Sequence, residues 1–208
     1  MSLKKAYIIA IIVLLIDQIS KIYIKTNFKL HEFVNVLDLE WFQINFIEND
    51  GMAWGAQIPG SYGKLILTLF RIVAVIGIGW WLQDSVKKKY SNYLIVPIAL
   101  ILAGAFGNII DSVFYGIIFD YSSENHIATL FAEKPYGTLF HGKVVDMFYF
   151  PIIKEAHFPE WIPFIGGNEF SFFNAIFNVA DAAISIGVGI LIVFNKRAFA
   201  KSNDTVTE

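Results

Sequence analysis

The chain has 208 residues, 56% of them hydrophobic and only 16% charged, well below the roughly 25% charged residues of an ordinary soluble domain. Mean hydropathy is +0.56, and a formal net charge of -2 offers no broad basic surface for nucleic acid. Cysteine is absent, which excludes disulfides, thiol nucleophiles and thiolate metal sites.

Four apolar runs are long enough to cross a hydrocarbon core, which takes about 20 residues as a helix: roughly 6–24, 64–82, 93–115 and 173–194. The first follows "MSLKK" and has the look of a secretory signal, but no small-residue cleavage site comes after it. Instead "DQISK" runs on into "IYI", so a retained helix is expected. The expected fold is an integral membrane, mainly α protein, with a four-transmembrane-helix bundle forming a single domain over residues 1–208. Lys4 and Lys5, the run Lys87, Lys88 and Lys89, and the tail residues Lys196, Arg197 and Lys201 then share one side. The positive-inside rule makes that side cytoplasmic. The excursions at 25–63 and 116–172 become exoplasmic, and 195–208 a cytoplasmic tail.

The first excursion alternates apolar and polar residues through "EFVNVLDLEWFQINFI", the pattern of a strand with one buried face. A small exoplasmic β-sheet is expected there, ended by the turn signal "ENDG". The second holds Pro135, Pro151, Pro159 and Pro163 and an aromatic stretch, "FPEWIPFIGGNEFSFF", suited to the membrane interface. Loops with one short interfacial helix are expected in this long region.

Ionisable residues inside spanning helices cost about 2.5–3.5 kcal/mol on insertion scales, so each is a functional candidate. Asp17, Ser20 and Lys21 share a face of the first helix; Gly104, Asn108 and Asp111 share one on the third; Asn174, Asn178, Asp181 and Ser185 share one on the fourth. At about 1.5 Å per residue, Asp17 falls about 16 Å above the cytoplasmic start, Asp111 about 27 Å and Asp181 about 18 Å. All three carboxylates are thus expected in the outer half. Asp146, in "GKVVDMF", joins them from the second excursion, its carboxyl held against apolar surface that raises a carboxyl pKa. Two carboxylates in a partly dry site share a proton, giving an acid and a base at once.

Five blocks carry a family resemblance: "DQISK", "NDGMAW", "GNIID", "VVDMF" and "FNVAD", in that order over residues 17–181. Together they resemble lipoprotein signal peptidase (signal peptidase II), a four-helix membrane aspartic peptidase of the bacterial inner membrane. The resemblance implies Asp146 and Asp181 as the catalytic pair. It implies Asn178, Asn108, Asp111, Asp17 and Lys21 as supporting residues, with Asn49 and Gly51 near the substrate. It implies an exoplasmic active site, membrane lipid as surroundings, and a diacylglyceryl-modified prolipoprotein substrate, cleaved just before the modified cysteine. No covalent intermediate, metal or cofactor is required, and a monomer is the expected assembly.

Two features depart from the family. An arginine usually follows "GNxxD", but Ser112 stands here, and Arg71 in the second helix is the candidate to supply that charge near the substrate. The connection from Asp111 to Asp146 is also longer than usual, with an insertion at roughly 116–141. Other readings have less behind them. Asp17 with Lys21 is also an ordinary i, i+4 ion pair, Gly104 and Gly107 read as close-packing residues, and Asn174 as a helix-start residue. Asn178 and Asp181 can also be read as residues placed for the helix dipole. His141 near Asp146 lacks any accompanying metal-ligand pattern. A small ion-coupled transporter would also use intramembrane carboxylates, but the inner halves "AYIIAIIVLLI" and "ISIGVGILIVF" lack ionisable groups.

Overall fold

The computed structural model describes residues 1–49 and 62–200. Helix α1, Leu3–Asn27, starts where the Ser2 hydroxyl accepts from the Lys5 N–H, and closes with the Phe28 N–H on the Ile24 carbonyl. Strand β1, Phe33–Asn35, and strand β2, Gln43–Asn49, follow. Helix α2, Gly63–Lys87, ends in a Schellman turn: the Lys89 N–H bonds the Val86 carbonyl and the Tyr90 N–H bonds that of Ser85. Lys89 takes the left-handed position itself, at φ 57°. Helix α3 covers Asn92–Ile110, then widens into a π-turn over Asp111–Tyr115 and a short helix α4, Gly116–Ile118. Strands β3 (Val144–Tyr149), β4 (Ile153–His157), β5 (Glu169–Phe172) and β6 (Ile176–Phe177) precede helix α5, Val179–Val193, and helix α6, Asn195–Phe199.

Three of these helices, α1, α2 and the stretch Asn92–Ile118, are long and apolar enough to cross a membrane; α5 is apolar but shorter. Ile8, Ile12, Leu15 and Ile19 on α1, and Ile66, Phe70, Val73 and Trp80 on α2, are exposed. Apolar side chains of this kind, turned outward, suit lipid. α3 is the central helix, packed on α1, α2 and α5. It meets α5 closely at Gly104, where a Cβ would come within 2.2 Å of the Ala180 carbonyl oxygen.

The sheet expected in the first excursion is present but recruits partners from the second. Four antiparallel strands run in the order β1-β2-β3-β6, and β4 pairs separately with β5. The second excursion therefore supplies three strands, β3, β4 and β5, set among the loops that were expected there, and its only helix among the described residues is the short α4 that continues α3. A further correction concerns the fourth apolar run. Helix was expected from 173, but Ile176 and Phe177 pair with Tyr149 and Phe148 in the sheet, and Asn178 is extended at φ -121°, ψ -179°. Sheet pairing holds these residues out of the helix, which begins only at Val179. Asn174 is thus not a helix start; it accepts a 2.8 Å hydrogen bond from the Tyr149 hydroxyl.

Two cores stabilise the ends of the bundle. Ala6, Leu82, Leu94, Ile95, Ile98, Ala99 and Ala198 form one, entirely apolar. Ile24, Phe46, Tyr115, Phe119, Ala128, Val145 and Met147 form the other, joining α1, the sheet and the segment after α3. That segment folds back on the π-turn, with the Phe140 N–H on the Val113 carbonyl and the Gly142 N–H on the Ser112 carbonyl. A side chain at Gly142 would come within 2.0 Å of the Asp111 carbonyl oxygen, so glycine lets β3 start against the end of α3.

Overpacking costs typically about 1–3 kcal/mol, so Gly104→Ala should lower the thermal midpoint in detergent by several degrees. Gly77→Ala, where an added Cβ meets nothing within 4 Å, should raise stability slightly, by about 0.5–1 kcal/mol of helix propensity. Equal behaviour of the two variants would contradict the close α3–α5 packing.

Candidate active site

Lys21 and Asp17 lie one helical turn apart on α1, and both side chains are fully buried. The Lys21 ammonium reaches Asp17 Oδ2 at 3.0 Å, Asp111 Oδ2 at 2.8 Å and Asn108 Oδ1 at 2.8 Å. An ammonium has three donors and no acceptor, so these contacts satisfy it. They also fix which way Asn108 faces: its oxygen points to Lys21, leaving its amide N–H groups for the other side. There Asn108 Nδ2 donates to Asp181 Oδ1 at 2.9 Å.

Asp17 and Asp111 have further donors. The Ala180 N–H donates to Asp17 Oδ1 at 2.8 Å, which ties α1 to the first turn of α5. Gln18 Nε2 sits 3.0 Å from both Asp17 Oδ2 and Asp111 Oδ1, and its Oε1 accepts from the Tyr115 hydroxyl at 3.2 Å. The Val145 N–H donates to Asp111 Oδ2 at 3.3 Å, which ties the end of α3 to β3 one residue before Asp146.

Asn178 connects the two outer carboxyls. Its Oδ1 accepts from the Asp181 N–H at 2.9 Å while its own N–H donates to Asp181 Oδ2 at 3.4 Å, a reciprocal capping box. Its Nδ2 donates to Asp146 Oδ1 at 2.6 Å and lies 3.2 Å from both Asn108 Oδ1 and the Val145 carbonyl oxygen. Asn49 Nδ2, at the end of β2, donates to Asp146 Oδ2. Burial of the Asp146 carboxyl, and next the nearby charge of Asp181, push it up to about 8, against the opposing effects of Lys21 and the Asn178 amide. A carboxyl held there is largely protonated at neutral pH. Asp181 lies in the first turn of α5, its carboxyl held by the Asn108 amide and the Asn178 N–H. The pair can therefore present one acid and one base side by side.

Asp17, Lys21, Asn49, Asn108, Asp111, Asp146, Asn178 and Asp181 thus form one connected polar cluster. Gly51 lies outside the described residues. The expectation of Asp181 more than a turn inside its helix is overturned by the later start of α5: Asn178 is the N-cap and Asp181 the third helical residue. Ser112 is buried and its hydroxyl donates back to the Asn108 carbonyl at 2.9 Å; the cation beside Asp111 is Lys21. Arg71 is half-buried, and Asp181 is the charge that acts on it. Its Nη1 is buried without a hydrogen-bond partner among the described residues. Gln18 is a member of the cluster that its sequence pattern did not single out, although it stands beside Asp17 in "DQISK" and joins α1 to α3. No group of three or more His, Asp or Glu side chains suited to a metal ion occurs among the described residues. The apolar core around Ala6, Leu82 and Ile98 gives no support to an ion pathway through the bundle.

The family described as signal peptidase (SPase) II matches residues 9–196 of the chain. The chain is 49% identical over 185 residues to a lipoprotein signal peptidase of Porphyromonas gingivalis, an alignment covering 88% of this chain and 79% of that protein. It is 36% identical over 199 residues to a lipoprotein signal peptidase of Amoebophilus asiaticus, covering 93% and 78%. A solved bacterial membrane enzyme, determined by the in meso method at 2.3 Å, shares the fold. Its TM-score is 0.63 at 24% identity, over 99% of this chain and 94% of that one.

Removing one partner of a buried ion cluster typically costs about 3–5 kcal/mol. Lys21→Met, which leaves Asp17 and Asp111 without their cation, should therefore sharply reduce the thermal midpoint and yield of the detergent-solubilised protein. A midpoint unchanged from wild type would contradict the cluster.

Proposed function

The chain belongs to the signal peptidase II family, and from that premise we propose that Asp146 and Asp181 are its catalytic pair. Members of this family are membrane aspartic peptidases that remove signal peptides from prolipoproteins, and that is the activity of this chain. The observation that carries the assignment is the placement of Asn178, which bonds both carboxyl groups at once.

In this reading Asp181 is the ionised partner and takes a proton from a water held between the two carboxyls. Asp146 is the protonated partner and donates a hydrogen bond to the scissile carbonyl oxygen. Attack of the water oxygen on the carbonyl carbon, with one water proton moving to Asp181 and the Asp146 proton to the carbonyl oxygen, forms a neutral tetrahedral diol. Collapse of that intermediate breaks the C–N bond as the proton on Asp181 passes to the leaving nitrogen and a hydroxyl proton of the diol returns to Asp146. Asn178 and Asn108 orient the pair, and Lys21 with Asp17 and Asp111 sets the direction of Asn108. Asn49 and Gly51 border the substrate, and Arg71 supplies positive charge on the Asp181 side.

The substrate is a prolipoprotein already carrying diacylglycerol on the cysteine after the cleavage site. Four helices, α1, α2, α3 and α5, span the bacterial inner membrane, with both termini cytoplasmic. Lys4 and Lys5 at the start of α1, Lys87, Lys88 and Lys89 at the end of α2, and Lys196 and Arg197 after α5 support that orientation. The site then faces the exoplasmic leaflet, where both the scissile bond and the lipid lie. The protein works as a monomer over a single domain, without cofactor.

General acid–base groups contribute about 10²–10⁴-fold each. Asp146→Asn and Asp181→Asn should each lower kcat on a diacylglyceryl-modified prolipoprotein by at least about 10²-fold while leaving the folded yield intact. Full activity in either variant would remove the pair. Because Asp146 must hold its proton, activity should fall as pH rises through about 8. A rate that stays flat well above that pH would contradict a protonated Asp146.

A further inference from the structure

Glu48 and Asn49 are consecutive in β2 and so point to opposite faces of the sheet. Asn49 lies on the face of Asp146: Ile47 is directly opposite Asp146, and Asn49 is two residues further along the same strand. Its amide reaches the Asp146 carboxyl from that diagonal position. Glu48 is paired opposite Val145 and turns the other way, into a second buried charge cluster that the reaction does not use.

There Glu48 Oε1 accepts from the Lys25 ammonium and, at 2.8 Å, from the Ser122 hydroxyl. Ser122 Oγ in turn accepts from Lys25 at 2.8 Å. Lys143 lies 3.6 Å from Glu48 Oε2. The Lys25 and Glu48 side chains are 1% and 5% exposed. The Lys25 ammonium also stands 5.2 Å from the ring centre of Phe119 and 5.0 Å from that of Tyr136, within cation–π range. Tyr136 is fixed in turn, its hydroxyl accepting the Lys143 N–H at 2.7 Å.

Ser122, Phe119 and Tyr136 all come from the insertion between α3 and β3. The insertion encloses a lysine at the outer end of α1 and, through it, anchors the residue preceding Asn49. We propose that Glu48 is a positioning residue, clamped by Lys25, Ser122 and Lys143 so that the end of β2 holds the Asn49 amide against Asp146. The insertion, on this account, is a buttress for the outer wall of the site. A buried ion pair of this kind gives one geometry for the strand end, because any displacement of Glu48 leaves two buried charges unpaired.

The proposal rests on Asp146 being part of the reactive pair, and it is tested by a double-mutant cycle on the full-length enzyme in lipid or detergent. Ser122→Ala removes only a hydroxyl, and Glu48→Gln keeps the shape of the side chain. In the wild-type background each should lower kcat on the order of 10-fold with KM little changed. Each should also move the alkaline limb of the pH profile upward, because the ionised form of Asp146 loses a donor. In an Asn49→Ala background the same substitutions should add nothing to either quantity. The same factor in both backgrounds, no effect in the wild-type background, or an effect confined to KM or yield would overturn the proposal. Asp146→Asn, measured in parallel, separates the two claims. If it is fully active the catalytic assignment fails; if it is inactive while the cycle is additive, only the positioning role is lost.

Discussion

A single buried ammonium holds the arrangement together. Lys21 carries the only positive charge in contact with Asp17 and Asp111 among the described residues, and its third donor goes to Asn108. Three elements that share no sequence neighbourhood are tied through it: α1 directly, α3 through Asn108 and Asp111, and α5 through the Ala180 N–H on Asp17. Without that charge two desolvated carboxylates would repel each other across the α1–α3 contact. With it, the asparagine amide can face only one way, and the donor it presents to Asp181 follows.

The start of α5 serves stability and chemistry with the same atoms. A helix N-terminus leaves N–H groups without partners, and Asn178 with Asp181 satisfies two of them reciprocally. That arrangement also holds the Asp181 carboxyl in place and leaves the Asn178 amide nitrogen free to reach Asp146. Asp146 sits instead on a sheet strand with apolar residues on both sides, Val145 and Met147, each almost fully buried. Two chemically identical groups therefore meet in different settings: a hydrogen-bonded helix start for one, and a dry strand that disfavours charge on the other. Such a difference is how a carboxyl pair comes to supply both an acid and a base.

Much of this is legible in the residues. The i, i+4 placement of Asp17 and Lys21, and the spacing of Asn108 and Asp111, put their side chains on common helix faces by periodicity alone. The order of the five short blocks points to the family. The start of α5 is misplaced by its hydrophobicity although "NVAD" has the spacing of a capping box, because the apolar run around it outweighs a local signal. What holds Ile176 and Phe177 in the sheet is pairing with Phe148 and Tyr149, a long-range contact that periodicity does not report. The strands β4 and β5 are hidden for a similar reason, in a stretch whose prolines and aromatics suggest loop. The cluster of Lys25, Glu48 and Ser122 leaves almost no trace, since its members come from three separate segments. Its one hint is that Lys25 follows Lys21 by a helical turn, continuing the stripe that begins at Asp17. Ser112, which looks like a missing charge, is a buried residue bonded to its own helix, with Lys21 already in place beside Asp111.

The central claim is that the outer pair is asymmetric, with Asp146 neutral and Asp181 charged when the site is at rest. Infrared difference spectroscopy of the purified enzyme reads this directly through the C=O stretch of a protonated carboxyl. The account predicts such a band at neutral pH that is abolished by Asp146→Asn, survives Asp181→Asn, and titrates away near pH 8. Loss of the band in Asp181→Asn alone, or its persistence in Asp146→Asn, would contradict it.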